Sequence, residues 1–353
     1  MRSFSRTAAV LVVPLLLVAG CAGTTVQEPL VAPEREPIEP ATTSWDSGVS
    51  PQEAVEGLDD PPPEGWEPRD PRLAPAPEGD VHEFEIRASH ANMEIAPGQK
   101  QPVWTYDDML PGPTIRGKVG DTFRIRFIND AEMEHSIDFH SSKVAPNVEM
   151  RTIQPGEELL YEFEAKHAGV YMYHCGTAPV LQHTGNGQHG VMIIDPPDLE
   201  PVDHEFWLVQ HELYFGGLNE AYNKMIAERW DAVVFNGYPF QYVHAPIEGV
   251  EPGERVRMWV MNNGPSENSS FHVIGTIFDT VYKEGSYRLR QDVDPDGGAQ
   301  SIDLQPAQGG FVEFTFDTDG TYPFVTHKFA NLPKGAVGMF VVGDVELGED
   351  AGH

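Results

Sequence analysis

Cysteine, positive charge and long apolar runs are all scarce in this chain. Only two cysteines, Cys21 and Cys175, occur in 353 residues. Lysine and arginine together number 23 against 55 aspartates and glutamates, a formal net charge of −32. A surface of that sign repels phosphate, so nucleic acid is excluded as a partner. The apolar stretch Ala8–Val18 is too short to cross a bilayer, where about 20 apolar residues are needed. What remains is an acidic protein of ordinary hydrophobic content, 40%, long enough for two domains.

Arg2 and Arg6 precede that apolar stretch, and Val18-Ala19-Gly20-Cys21 follows it. A charged start, an apolar middle and small residues before a cleavage point make residues 1–20 a signal peptide. The placement of Cys21 resembles a bacterial lipobox. It implies a lipid anchor on Cys21 and an exported protein, held on the outer face of the cell membrane or in the periplasm. Cys175 then has no disulfide partner within the chain, and an exported protein that keeps one free thiol has a chemical use for it. From Ala22 to Gly79 there are twelve prolines, thirteen acids and only three arginines. That composition cannot bury a core, so residues 21–79 are expected to be a disordered tether.

Beyond residue 80 the patterns are those of strands. Thr122–Asn129 alternates Phe123, Ile125 and Phe127 with Thr122, Arg124 and Arg126, the period of a half-buried strand. The second half repeats the plan of the first. Gly120-Asp121 before one strand is answered by Pro252-Gly253-Glu254 before Val256–Asn262. Ala168-Gly169-Val170-Tyr171 is answered by Asp319-Gly320-Thr321-Tyr322, and Gly190–Pro196 by Gly338–Asp344. A single repeat of this length predicts an all-β chain of two tandem β-sandwiches, at 80–196 and 204–345. Pro196–Asp203 would link them, and one short helix is expected at Leu218–Arg229.

The sequence Tyr171–Gly190 surrounds Cys175 with His174, His183 and Gln188. A thiolate, imidazoles and a weak axial donor form the ligand set of a blue-copper site. Strand geometry brings in a further histidine. In Glu134–His140, alternation puts His135, Ile137 and Phe139 on one face and Ser136, Asp138 and His140 on the other. The strand ending at Cys175 divides likewise, with Tyr171, Tyr173 and Cys175 inward and Val170, Met172 and His174 outward. Pairing the inward faces sets His135 beside Cys175, giving a site of His135, Cys175, His183 and axial Gln188. His189 and Met192 are alternative axial donors. Pairing the outward faces sets Asp138 and His140 near His174. Two histidines hold a metal poorly, and domain 2 offers a third as His272 or His327. The remaining histidines, His82, His90, His167, His204, His211, His244 and His353, are read as ordinary core or surface residues.

Six motifs together, PGPTIRGKVGDTFRIRF, EHSIDFH, YHCGTAPVLQH, VVFNGYPFQYV, SSFHVIGTIFD and GTYPFVTHKFA, resemble the two-domain copper nitrite reductases over residues 80 to 345. The resemblance implies two cupredoxin-like Greek-key domains and one type 1 and one type 2 copper per subunit. It places the type 1 copper on His135, Cys175 and His183, with Gln188 where the family usually has methionine. An amide oxygen there favours Cu(II) and lowers the reduction potential. The type 2 copper falls on His140 and His174 of one subunit and His327 of the next. Asp138 and His272 become the active-site acid and histidine, and Ile274 the apolar pocket wall. The implied reaction is the reduction of nitrite to nitric oxide, a step of denitrification. The implied partners are nitrite, a small cupredoxin or cytochrome c as electron donor, and two further copies in a homotrimer. Three other functions compete with this one, and one of them keeps both coppers but reduces a different small molecule. A laccase-like multicopper oxidase needs H-x-H pairs for a trinuclear cluster, and none occurs. A non-catalytic blue-copper electron carrier would have no use for the second histidine set.

Overall fold

The computed structural model describes residues 55–345. The signal peptide, Cys21, the first part of the tether and His353 lie outside the described residues. The first half builds eight strands: β1 (Val81–Ala96), β2 (Gln99–Tyr106), β3 (Ile115–Lys118), β4 (Thr122–Asn129), β5 (Asp138–Phe139), β6 (Glu158–Glu164), β7 (Gly169–His174) and β8 (His189–Asp195). A short helix, α1 (Val180–Gly185), lies between β7 and β8. One sheet runs β2-β1-β4-β6 and the other β3-β8-β7-β5. The alternation expected in β4 is present. Phe123, Ile125 and Phe127 are buried against Tyr161, Phe163, Phe139 and Tyr173. Arg124 and Arg126 face water and pair with Glu83, Glu162, Glu85 and Glu158.

The second half follows with β9 (His204–Leu213), α2 (Leu218–Ile226), β10 (Ala232–Phe235), α3 (Gln241–His244), β11 (Ile247–Val250), β12 (Arg255–Gly264), β13 (Ser269–Val273), β14 (Thr280–Lys283), β15 (Ser286–Leu289), β16 (Ile302–Leu304), β17 (Gln308–Thr315), β18 (Gly320–Thr326) and β19 (Val337–Val342). Its sheets run β10-β9-β12-β17-β14-β15 and β11-β19-β18-β13-β16. The repeat read from the sequence is visible in the pairing. The parallel pair β1–β4 is matched by β9–β12, and the antiparallel pair β7–β8 by β18–β19.

The two sandwiches join through an apolar layer. Val170 and Met172 of β7 and Val191 and Ile193 of β8 pack on Trp207, Trp259, Met261 and Phe311. The outward face of β7 is therefore covered by the second sandwich up to its last residue, His174. This is why Val256–Asn262 is buried on both faces although a lone sandwich would leave one face wet.

The folded body begins earlier than residue 80. Leu58 joins a cluster with Leu110 and Leu213. Arg72 makes a bridge with Phe206, and Trp207 donates to Pro71 O. The segment from 55 to 79 is a strap that satisfies backbone groups of β9, so its many prolines serve as extended chain at a sheet edge. The helix expected at Leu218–Arg229 ends at Ile226. Ala221 and Met225 are its buried residues, and Met225 lies over Gly185 at the end of α1. Leu218 and Ile226 are exposed rather than part of the buried face.

Candidate metal centres

Cys175 directly follows β7, and its thiol is fully buried. Its N–H donates to Gln188 O at 3.1 Å, and the Gln188 N–H donates to His183 O at 3.1 Å. These two bonds tie both ends of the intervening loop together, so the C-x7-H-x4-Q spacing becomes one compact unit. His183 sits in the last turn of α1, with its ring turned inward. His135 reaches the same point from the other side, held by a bridge to Ile153.

Four donor atoms converge there. His183 Nδ1 lies 3.3 Å from Cys175 Sγ and 3.2 Å from His135 Nδ1, and His135 Nδ1 lies 3.9 Å from Sγ. Gln188 Oε1 is 3.3 Å from His183 Nδ1. Burial pushes the His135 imidazole down to about 3, with His183 and His90 adding to the effect. Burial also lowers His183. Both rings are thus neutral near pH 7 and present a lone pair to a cation. A soft sulfur, two imidazoles and one amide oxygen around a single point suit copper. The other axial candidates turn elsewhere: His189 Nδ1 is 2.8 Å from Asn263 Nδ2, and Met192 Sδ accepts from Ser141 Oγ at 3.1 Å.

Ser136 departs from the strict alternation expected of Glu134–His140. Only Asp138 and Phe139 form regular strand, and Ser136 is fully buried. Its N–H donates to Cys175 Sγ at 3.4 Å, and its hydroxyl lies 3.8 Å from the same sulfur. The thiol therefore faces donors that suit a thiolate.

A second set stands on the opposite side of the same backbone. Asp138 pairs with His174 in the β5–β7 register. His140 Nε2 and His174 Nε2 are 3.0 Å apart, and Asp138 Oδ2 is 3.9 Å from His140 Nε2. His174 Nδ1 donates to Cys175 O at 2.9 Å, which leaves its Nε2 as the free lone pair. Asp138 and His140 are about one-third exposed, at 28% and 32% of their side chains. The two sets, His135–Cys175–His183 and Asp138–His140–His174, are each close enough to hold one ion.

His272 and His327 lie elsewhere, on β13 and just past β18. Their ring centroids are 5.6 Å apart. His272 Nδ1 donates to Gln300 O at 2.5 Å, and His327 stacks on Phe329. Within one chain, neither enters the Asp138–His140–His174 group. Ile274, two residues past His272, is 43% exposed, with Ile277 and Phe329 also bare.

Two groups escaped the sequence reading. His90 touches His135, with Nε2 to Nε2 at 2.9 Å, and stands across from Trp104 in the β1–β2 ladder. Counting the hairpin register outward from Pro97-Gly98 would have set His90 opposite Thr105; a β-bulge between Glu94 and Ala96 shifts the ladder by one and brings it to Trp104. His211 packs against His189 at 4.6 Å deep in the domain junction, which no single-strand pattern could reveal.

Residues 87–199 match the multicopper oxidase family. A copper-containing nitrite reductase of Neisseria meningitidis serogroup A is 36% identical over 266 residues, covering 72% of this chain and 67% of that protein. The solved copper nitrite reductase from Nitrosomonas europaea superposes with a TM-score of 0.67 at 31% identity, over 74% of this chain and 95% of that one. The copper-containing nitrite reductase from Thermus scotoductus SA-01 superposes with a TM-score of 0.68 at 28% identity, over 74% of this chain and 62% of that one.

Proposed function

The chain belongs to the copper-containing nitrite reductases, and on that premise we propose that it divides copper-dependent nitrite reduction between the two donor sets. His135, Cys175 and His183, with Gln188 axial, hold the type 1 copper. His140 and His174 of one subunit and His327 of the next hold the type 2 copper. Bound there, the metals supply a one-electron relay at the first site and a Lewis acid for nitrite at the second.

The observation that carries this reading is the adjacency of Cys175 and His174. One residue belongs to each set, and a single peptide unit connects them. No shorter covalent connection between two metal centres is available to a strand. Nitrite needs one electron and two protons to become nitric oxide and water. Asp138, 3.9 Å from His140 Nε2, is the carboxyl group placed to pass a proton to nitrite bound at that site. His272, braced through Nδ1 by Gln300 O, offers Nε2 as the second proton carrier. Ile274 narrows the pocket and excludes water.

An interface site accounts for the division of ligands. Phe329, stacked on His327, is exposed, as are Ile274 and Ile277 near His272 in the sequence, and bare apolar side chains of this kind are what a further copy covers. The assembly we propose is a homotrimer, lipid-anchored through Cys21 after removal of the signal peptide and exported to the outer membrane face or periplasm. Its electron donor is a small cupredoxin or cytochrome c. A carrier with type 1 copper alone would not need the Asp138–His140–His174 group, which is in place.

The test is nitric oxide formation from nitrite with an artificial electron donor, alongside copper counting. Two coppers per chain are expected. His327→Ala should empty one site and abolish turnover while the colour from Cys175 stays. Parent-like turnover in that variant would overturn the assignment.

A further inference from the structure

Resting on the type 1 assignment above, we propose that His90 is a positioning residue of that centre. It accepts the Nε2–H of His135 and so fixes Nδ1 as the nitrogen that faces the metal. Two imidazole nitrogens 2.9 Å apart must share one proton between them. The side of His135 that faces Cys175 Sγ and His183 Nδ1 cannot carry that proton and also bind a cation. The proton therefore sits on Nε2, His135 is the donor, and His90 is the acceptor.

The rings are built for this contact. They meet edge to face, 89° apart with centroids at 5.2 Å. His90 is held in that pose by Trp104, its direct partner across the β1–β2 ladder, on which it stacks at 22°. Trp104 is itself buried, and its ring also packs on His183 at 4.6 Å. The other imidazole of the centre has no such support, since His183 Nε2 is buried and makes no hydrogen bond among the described residues. One ligand ring is thus locked by a partner and the other by packing alone. His90 itself is exposed, so this hydrogen bond runs from a fully buried ligand to the surface of the first sandwich.

An acceptor on the remote nitrogen of a metal-bound imidazole fixes its tautomer and raises its basicity. That favours the oxidised metal. The sensitive readouts are therefore Cu(II) affinity and reduction potential.

His90→Phe keeps a ring against Trp104 and removes the acceptor. It should weaken Cu(II) retention at the Cys175 site by roughly 10- to 100-fold. The potential should rise, by about 59 mV for each tenfold loss that falls on Cu(II) alone. His90→Gln places a carbonyl oxygen at a reach similar to Nε2 and should return both values toward the parent. Unchanged affinity and potential in His90→Phe would overturn the proposal. So would an equal shift in both variants, which would make packing and not the acceptor the cause. A parent protein that lacks the thiolate–copper absorption would overturn the underlying type 1 assignment. Normal absorption with an unmoved potential in His90→Phe would overturn the role of His90 alone.

Discussion

Gln188 reaches the Cys175 centre because its own backbone is pinned. Its N–H is held by His183 O and its carbonyl by the Cys175 N–H, so the side chain has one direction in which to extend. The amide oxygen lies 3.3 Å from His183 Nδ1, and its NH2 points toward Thr105 O at 3.5 Å. The amide is thus oriented oxygen-first into the donor set. Oxygen is a harder donor than a thioether and stabilises Cu(II). Gln188→Met should therefore raise the reduction potential of copper bound at this centre while leaving copper content unchanged. Redox titration of the visible absorption reads this directly, and a fall in potential would show that the amide does not act as an axial donor. The residue was visible from spacing alone. Its direction of approach was not, because it depends on two backbone hydrogen bonds across a loop.

The strand pair β7–β8 shows how an element carries the chemistry. Tyr173 stands opposite Gly190, and its ring lies where a Cβ on Gly190 would be, in contact with Cζ and Oη. Tyr173 is fully buried between Tyr106 and Phe139 and donates to Pro113 O at 2.6 Å. It has nowhere to yield. Gly190→Ala should destabilise the protein by about 1–3 kcal/mol, the usual cost of overfilling a packed core. The strain should also reach His174 and Cys175, the next two residues, and broaden the thiolate–copper band. Thermal unfolding and the optical spectrum check both effects. Much at this scale could be read in advance. Phe123, Ile125 and Phe127 alternate because β4 has one dry face, and the repeat of β1–β4 in β9–β12 follows from matching turn signals. The strap at 55–79 could not be foreseen, since proline-rich acidic chain looks the same whether free or laid along a sheet edge. Alternation places Ser136 outward, yet it faces the thiol, because Glu134–His140 is regular strand only at Asp138 and Phe139 and the loop before them turns the Ser136 N–H toward Cys175 Sγ.

At the scale of the whole molecule, the decisive feature is that the ligands proposed for the second site fall into two separate groups within one chain. Asp138, His140 and His174 converge on the first sandwich, whereas His272 and His327 converge on the second. If another copy completes the site, two inactive chains should repair each other. A His174→Ala chain keeps His327, and a His327→Ala chain keeps His140 and His174. Neither forms an intact interface with its own kind. In a ring of mixed subunits, an interface is whole wherever the His327→Ala chain presents its first sandwich to the second sandwich of the His174→Ala chain. Random assortment of equal amounts makes about a quarter of interfaces whole, because each side is correct half the time. Co-expressed chains should therefore recover roughly a quarter of parent nitrite turnover and of type 2 copper. Each variant alone should show neither, and the colour from Cys175 should be present throughout. A site completed within one chain could not be repaired by mixing, whatever the oligomeric state, so the absence of recovery in verified mixed assemblies would return His327 to its own subunit.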